Sequence, residues 1–276
     1  MTAPSDLASA TVHAVLDRAD AWYWRFLVTG FCFSVFGLGA LVLGAVVLPL
    51  VRLAPAAHEV KRMRARAVMR SGLRLFVRLM HRLGGMAYEF RGVERLGRPG
   101  QLIVANHPSL IDVVFLLAFT PGANCVVKQG LWRNPLTRGA VSLAEYITND
   151  PTAAMIEASA AALSDGQTLI MFPEGTRTTP HRPPVFHRGA ANVALRAARV
   201  VTPVYIRCEP TTLTKAEAWY RIPPRRPRFS LVVGEDLSLD AYRGQPLPLA
   251  SRRFNEMLHA HFRDELLGSA SRPGPE

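Results

Sequence analysis

Acidic side chains are scarce in this chain: Asp and Glu number 21 against 33 Lys and Arg, a formal net charge of +12. None at all falls between Lys61 and Arg82. Such a balance calls for an anionic partner: nucleic acid, anionic lipid or an acidic carrier protein. No nucleic-acid recognition module accompanies the basic residues, which gather beside an apolar run, so nucleic acid is set aside. Cysteine is also sparse. Cys32, Cys125 and Cys208 are widely spaced, with no Cys-x-x-Cys pair and no zinc spacing. That excludes a disulfide framework and a structural zinc, and predicts reduced structural thiols facing a reducing compartment. The absence of an internal repeat excludes a solenoid.

Charge is missing most conspicuously from Phe26 to Val51, 26 residues between Arg25 and Arg52. As a helix this run is about 39 Å long, enough to cross a bilayer with some tilt. Trp22, Tyr23 and Trp24 sit at its leading edge, where an aromatic belt lies. The run is too long, and starts too deep in the chain, for a secretory signal. Gly30, Gly37, Gly39 and Gly44 allow close helix packing or a re-entrant bend, so a full span and half-immersion both stay open. Downstream, Arg62, Arg66, Arg70, Arg74, Arg78 and Arg82 recur every four residues beside an apolar face of Met69, Leu73, Phe76, Val77 and Met80. The pattern fits an ordinary solvated helix face, but next to a membrane anchor the preferred expectation is a basic amphipathic helix lying on anionic headgroups. The positive-inside rule then puts this flank, and the domain after it, on the cytoplasmic side of the inner membrane.

The expected organisation is an N-terminal segment (1–25), a transmembrane or re-entrant helix (26–52), a basic interfacial helix (53–84), a catalytic domain (85–267) and a disordered tail (268–276). Within the domain, strands are expected over 101–105, 123–127, 167–172, 202–207 and 228–233. Helices are expected over 109–119, 151–164, 188–199 and 249–267. Strands alternating with helices predict an α/β fold with a mixed, mostly parallel sheet flanked by helices.

Two short motifs carry chemistry. In Asn106-His107-Pro108-Ser109-Leu110-Ile111-Asp112 the residue before proline is pushed to extended backbone, and Pro108 fits the first position of a helix. His107 then sits at the C-terminal end of a strand, where α/β folds place reactive groups. Asp112 can fold back onto the ring N–H, fixing the tautomer and freeing the other nitrogen to take a proton. In Phe172-Pro173-Glu174-Gly175-Thr176-Arg177-Thr178, Gly175 permits a tight turn and Arg177 can grip a phosphate through parallel hydrogen bonds. Each motif alone has a plainer reading: a capped helix with a satisfied histidine, and a surface turn with a local ion pair.

Together, however, the two resemble the signature blocks of the glycerolipid acyltransferases, in particular the 1-acylglycerol-3-phosphate acyltransferases. Residues 106–112 match that family's Asn-His-x-Ser-x-x-Asp block. Residues 172–178 match its Phe-Pro-Glu-Gly-Thr-Arg-Ser block, with Thr178 for the usual serine. Val127–Pro135 resembles the second block and Val201–Ile206 the fourth, with Phe186-His187-Arg188-Gly189-Ala190 between. The likeness covers roughly residues 85–235.

The resemblance implies a membrane-bound acyltransferase that moves a fatty acyl group onto 1-acyl-sn-glycerol 3-phosphate to give phosphatidic acid. His107 is the implied general base and Asp112 its orienter. Glu174, Gly175, Thr176 and Arg177, with Lys128 and Arg133, are the implied binders of the acceptor's phosphate and glycerol. The donor is acyl-CoA or acyl carrier protein, used as a substrate. No metal and no redox cofactor is expected. Membrane lipids, a lysophospholipid acceptor and an acyl carrier protein are the expected partners. Gly130 and Trp132-Arg133 depart from the usual second block, leaving another acceptor open, such as an amino-acid lyso-lipid or a specialised lipid. A non-catalytic lipid-binding protein is the third reading. Arg225, Arg226 and Arg228 are expected to form either a carrier dock or a solvated loop. His181 and His187 are expected to be solvated, and His259 and His261 to hold no metal.

Overall fold

The computed structural model describes residues 4–150, 152–179, 184–215 and 217–268. The strands are β1 (Ala87–Arg91), β2 (Gln101–Ala105), β3 (Asn124–Val127), β4 (Ile147–Thr148), β5 (Leu169–Met171), β6 (Val200–Glu209) and β7 (Arg228–Val233). They form one sheet in the order β1-β7-β6-β2-β5-β3-β4. From β6 to β4 every neighbour is parallel. Strand β7 runs antiparallel to β6 and pairs parallel with β1. This is the mixed, mostly parallel α/β architecture expected.

The helices are α1 (Pro4–Val42), α2 (Leu48–Leu53), α3 (His58–Arg82), α4 (Asp112–Phe119), α5 (Gln129–Arg133), α6 (Pro135–Leu143), α7 (Thr152–Ser164), α8 (Gly189–Ala197) and α9 (Leu247–Gly268). Both faces of the sheet are covered, which is why Leu102 to Ala105 of β2 read as an apolar run instead of an alternation. Along β2 the side chains still alternate. Ile103 and Ala105 enter a core with α3 and α4, around Phe76, Phe115 and Phe229. Leu102 and Val104 enter a second core with α7, α8 and α9, around Leu163, Phe254 and Phe262.

Several boundaries differ from expectation. Helix α4 begins at Asp112, not Ser109. Residues 109–111 are spent on a turn, in which Ser109 N–H donates to Asp112 Oδ2 and Leu110 N–H to Leu213 O. Pro108 therefore lies ahead of the helix and not at its first position. Strands β1 and β4 and helices α5 and α6 were not anticipated. The insert at 180–183 and the tail from 269, including His181, lie outside the described residues.

Helix α3 corrects the expectation of an apolar face seated in headgroups. Phe76, Val77 and Met80 are buried in the domain core, and Met69 and Leu73 pack against it. The arginine stripe divides. Arg66 is buried and donates to Ala144 O, Gly122 O and Gln167 Oε1. Arg70 donates to Ala118 O, and Arg62 pairs with Glu59 and Glu145. Arg64, Arg78 and Arg82 remain exposed.

Ahead of α3, α1 continues through a π-helical turn (Leu43–Val47) into α2. The stretch Ala21–Leu53 is long and apolar enough to cross a membrane. One flank of it docks on the domain. Trp24 Nε1 donates to Leu83 O, and Arg25 Nη2 donates to the carbonyls of Pro223 and Pro224. Phe33 and Phe36 lie against Phe76. The opposite flank exposes Tyr23, Leu27, Phe31, Leu38, Leu41, Leu50 and Leu53.

Candidate active site

Parallel pairing of β6, β2, β5 and β3 brings their C-terminal ends to one edge of the sheet. His107 follows β2, the 173–177 turn follows β5, and Lys128 follows β3. Asn106 anchors the first of these. It is buried, its Nδ2 donates to Ile206 O at 2.7 Å, and its Oδ1 accepts from Ile206 N–H at 2.8 Å. A side-chain amide thus extends the β2–β6 ladder by one step and stops the chain from drifting where the histidine begins.

His107 Nδ1 lies 2.9 Å from Asp112 Oδ2. The Asp112 side chain is fully buried, whereas the His107 side chain keeps 15% exposure. With the carboxylate accepting, Nδ1 carries the proton and Nε2 presents its lone pair. The imidazole also stacks on Phe172, ring centroids 4.2 Å apart and planes at 23°. Asp112 Oδ2 further accepts from Ser109 N–H at 2.6 Å, while Oδ1 is buried without a hydrogen bond. Burial pushes the Asp112 carboxyl up to about 6, against the hydrogen bond from His107, which lowers it.

Glu174 is buried at 4% exposure. Its Oε1 accepts from His107 N–H and from Thr178 Oγ1–H, both at 2.9 Å. Burial raises this carboxyl as well. Gly175 has φ +61°, the left-handed conformation that reverses the chain after β5. Thr176 is half-buried. Arg177 Nη1 donates to Leu213 O and Thr214 O, both at 2.9 Å. The same 210–214 segment accepts from Ser109 Oγ–H at Thr212 O and from Leu110 N–H at Leu213 O. Arg177 therefore ties this segment to the turn, and the segment braces the histidine loop.

Of the residues singled out from sequence, His107, Asp112 and Glu174 are brought into one hydrogen-bonded cluster, with Gly175 and Arg177 in the adjoining turn. Lys128 and Arg133 are exposed, Lys128 after β3 and Arg133 at the end of α5. Two strands of spacing, about 10 Å, separate β3 from β2. Sequence reasoning gave no role to Asn106, Phe172, Ser109 or Thr178, although all four lie inside the two quoted motifs. It also missed residues 210–214, which carry no motif.

His187 is exposed, with its N–H on Pro173 O. His259 and His261 have partners in Pro184 O and the Tyr205 hydroxyl. Arg226 donates to the carbonyls of His81 and Met86, while Arg225 and Arg228 are exposed. The three cysteines are free and buried. Among the described residues, no three His, Cys, Asp or Glu side chains gather into a metal site.

Residues 87–207 match the family model described as Acyltransferase. A 1-acyl-sn-glycerol-3-phosphate acyltransferase of Pseudomonas aeruginosa is 28% identical over 149 residues, covering 52% of this chain and 58% of that one. The human 1-acyl-sn-glycerol-3-phosphate acyltransferase alpha is 29% identical over 142 residues, covering 48% and 50%. The chain thus spans about half the length of the curated relatives it matches. The crystal structure of a 1-acyl-sn-glycerophosphate acyltransferase from Thermotoga maritima superposes with a TM-score of 0.67 over 94% of this chain and 100% of that one, at 20% identity. The fold is shared, and the matched region contains His107, Asp112 and the 172–178 turn. Over residues 87–207 the chain is similar to the acyltransferase family, and within it to the 1-acyl-sn-glycerol-3-phosphate acyltransferases.

Proposed function

We propose that this protein is a membrane-associated O-acyltransferase that esterifies the free hydroxyl of 1-acyl-sn-glycerol 3-phosphate and yields phosphatidic acid. The observation that carries this reading is the His107–Asp112 pair, with Nδ1 held at 2.9 Å and the ring still reachable. In the proposed reaction His107 Nε2 takes the acceptor's hydroxyl proton as the oxygen attacks the thioester carbonyl. A carbon–oxygen bond forms and the carbon–sulfur bond breaks. The thiol of coenzyme A or of acyl carrier protein leaves with the proton that His107 returns. Buried Asp112 stabilises the imidazolium formed in between.

The acceptor's phosphate would meet Arg177, Lys128 and Arg133 on the same edge of the sheet. Because Arg177 Nη1 is engaged by two protein carbonyls, the two exposed cations take the larger share. That engagement also favours a second reading, in which the same chemistry acts on a different lyso-lipid. The exposed apolar flank of α1 and α2 supports immersion in one leaflet, beside the arginines of the cytoplasmic face.

The test uses membranes carrying the wild-type chain or His107→Ala. Labelled acyl thioester is supplied on coenzyme A or on carrier protein, with lysophosphatidic acid or other lyso-lipids. Phosphatidic acid is expected from wild type, and a rate at least about 100-fold lower from the variant. Acylation of other lyso-lipids alone moves the acceptor to the second reading. A rate untouched by the substitution rejects His107 as the base.

A further inference from the structure

Two motifs far apart in the sequence are closed on one another by a ring of three hydrogen bonds. His107 N–H donates to Glu174 Oε1 at 2.9 Å. The Thr178 hydroxyl donates to that same oxygen at 2.9 Å. Thr178 N–H donates to His107 O at 2.7 Å. The histidine's backbone is thereby gripped at both its amide and its carbonyl, while its ring is gripped by Asp112 and Phe172. Oε1 of a carboxylate that is 4% exposed is thus committed to two protein donors.

A general base works only if its nitrogen meets the acceptor hydroxyl within hydrogen-bond reach, and a displacement of about 0.5 Å is already costly. His107 belongs to the loop after β2 and not to a rigid element. Its own strand fixes it only as far as Asn106. The ring of bonds supplies what the loop lacks, and Thr178 is the member that donates two of the three.

We propose that Thr178 is a positioning residue for acyl transfer: its amide and hydroxyl, with Glu174 as the shared acceptor, clamp the His107 backbone and set where Nε2 stands. The inference rests on the reading of His107 as the base. Glu174, which the family resemblance puts on the acceptor, acts in this scheme through the protein. The scheme also accounts for threonine standing where the related block has serine. Both carry the hydroxyl that the clamp uses, and the extra methyl is not part of it.

The experiment compares Thr178→Val, Thr178→Ser and His107→Ala in the full chain in lipid vesicles, measuring kcat and the acceptor KM. Valine keeps the amide and the shape and deletes one donor to a carboxylate. The expected result is a kcat lower by about 10-fold, the scale of one charge-assisted hydrogen bond, with KM within about twofold of wild type. Serine is expected to restore most of the rate. If the valine variant does not fold, Thr178→Ala removes the same donor with less bulk and takes its place.

A raised KM at unchanged kcat would move Thr178 onto the substrate and overturn the clamp. Failure of serine to rescue would overturn it too, by making the methyl's packing the cause. With His107→Ala inactive, a Thr178→Val enzyme as fast as wild type overturns the clamp alone. An undiminished His107→Ala enzyme overturns the base assignment and the clamp with it.

Discussion

Asp112 is the residue on which the structure adds most to the sequence. A His-x4-Asp spacing said that a carboxylate could reach the ring. Only the fold says that it sits fully buried, with one oxygen shared between His107 and Ser109 N–H and the other unpaired. Burial holds its carboxyl at about 6 instead of the ordinary value of 3.8. As the pH falls through that value Asp112 gains a proton, and in the proposed mechanism it then no longer stabilises the imidazolium. The rate is therefore expected to fall on the acid side with an apparent midpoint near 6, a property of the His107–Asp112 pair. A pH profile of kcat/KM checks this, and a rate that stays flat to about pH 4 rejects it.

Stability follows the opposite course. A carboxyl whose folded-state value is raised binds its proton more tightly in the native chain, so its contribution is most favourable at low pH and is lost as pH rises toward 6. Wild type is expected to gain thermal stability relative to Asp112→Asn as the pH is lowered from about 7 to about 4. The same substitution should cost about 100-fold or more in kcat at neutral pH, because the charge that steadies the imidazolium is gone. A buried acid that weakens the fold while serving the chemistry is the pattern expected of an active-site carboxyl. Its protonation was not readable from spacing, because desolvation is a property of what packs around the group.

Among the elements, those with strong periodicity or unbroken apolar runs were legible. Strands β2 and β7 begin and end where the sequence places them, and α9 differs by two residues at its start and one at its end. Short elements were not legible. Strand β1 alternates Tyr88 and Phe90 with Glu89 and Arg91, which pair with each other on the outside, and β4 is only two residues long. Helix α3 was legible as a helix but not in its orientation. A stripe of arginines is ambiguous between water, headgroups and backbone carbonyls, and the choice depends on elements more than fifty residues away. Arg66 chose carbonyls: Gly122 and Ala144 lie under it, and burial brings its guanidinium down to about 10, still charged at neutral pH.

That choice makes a stability prediction specific to one arginine of the stripe. Arg66→Met keeps the aliphatic stem, orphans Ala144 O and Gly122 O, and leaves Gln167 Oε1 with Asn124 Nδ2 as its donor. The expected cost is about 2–3 kcal/mol. Substituting exposed Arg64 with Ala should change stability by less than about 0.5 kcal/mol. Thermal melts of both variants in the same lipid decide it. Equal melting temperatures would mean that the buried guanidinium does not hold α3 to the domain.

For the whole molecule, the sequence located the apolar run but left its relation to the bilayer open. The structure adds a constraint, because the run touches the α/β domain at both of its ends. Near its start, Trp22 Nε1 donates to Ile222 O and Arg25 donates to the carbonyls of Pro223 and Pro224. Near its finish, Leu48 is buried, and the π-helical turn and α2 lie against α6. A helix over Ala21–Leu53 is about 50 Å long, well beyond the roughly 30 Å of hydrocarbon in a bilayer. If it stood across the membrane, one end would lie on the far side from a domain that holds both ends. Lying along a membrane interface, it would keep both contacts and would turn Leu27, Phe31, Leu38, Leu41 and Leu50 toward the acyl chains. Single cysteines at Ala21, Ala57 and Glu235, the last a reporter on the catalytic domain, separate the two arrangements. An impermeant maleimide added to sealed vesicles of known orientation is expected to label all three from the same side. Labelling of Ala21→Cys only from the side opposite Glu235→Cys would establish a full crossing, and would require the Trp22 and Arg25 contacts to be broken in the membrane.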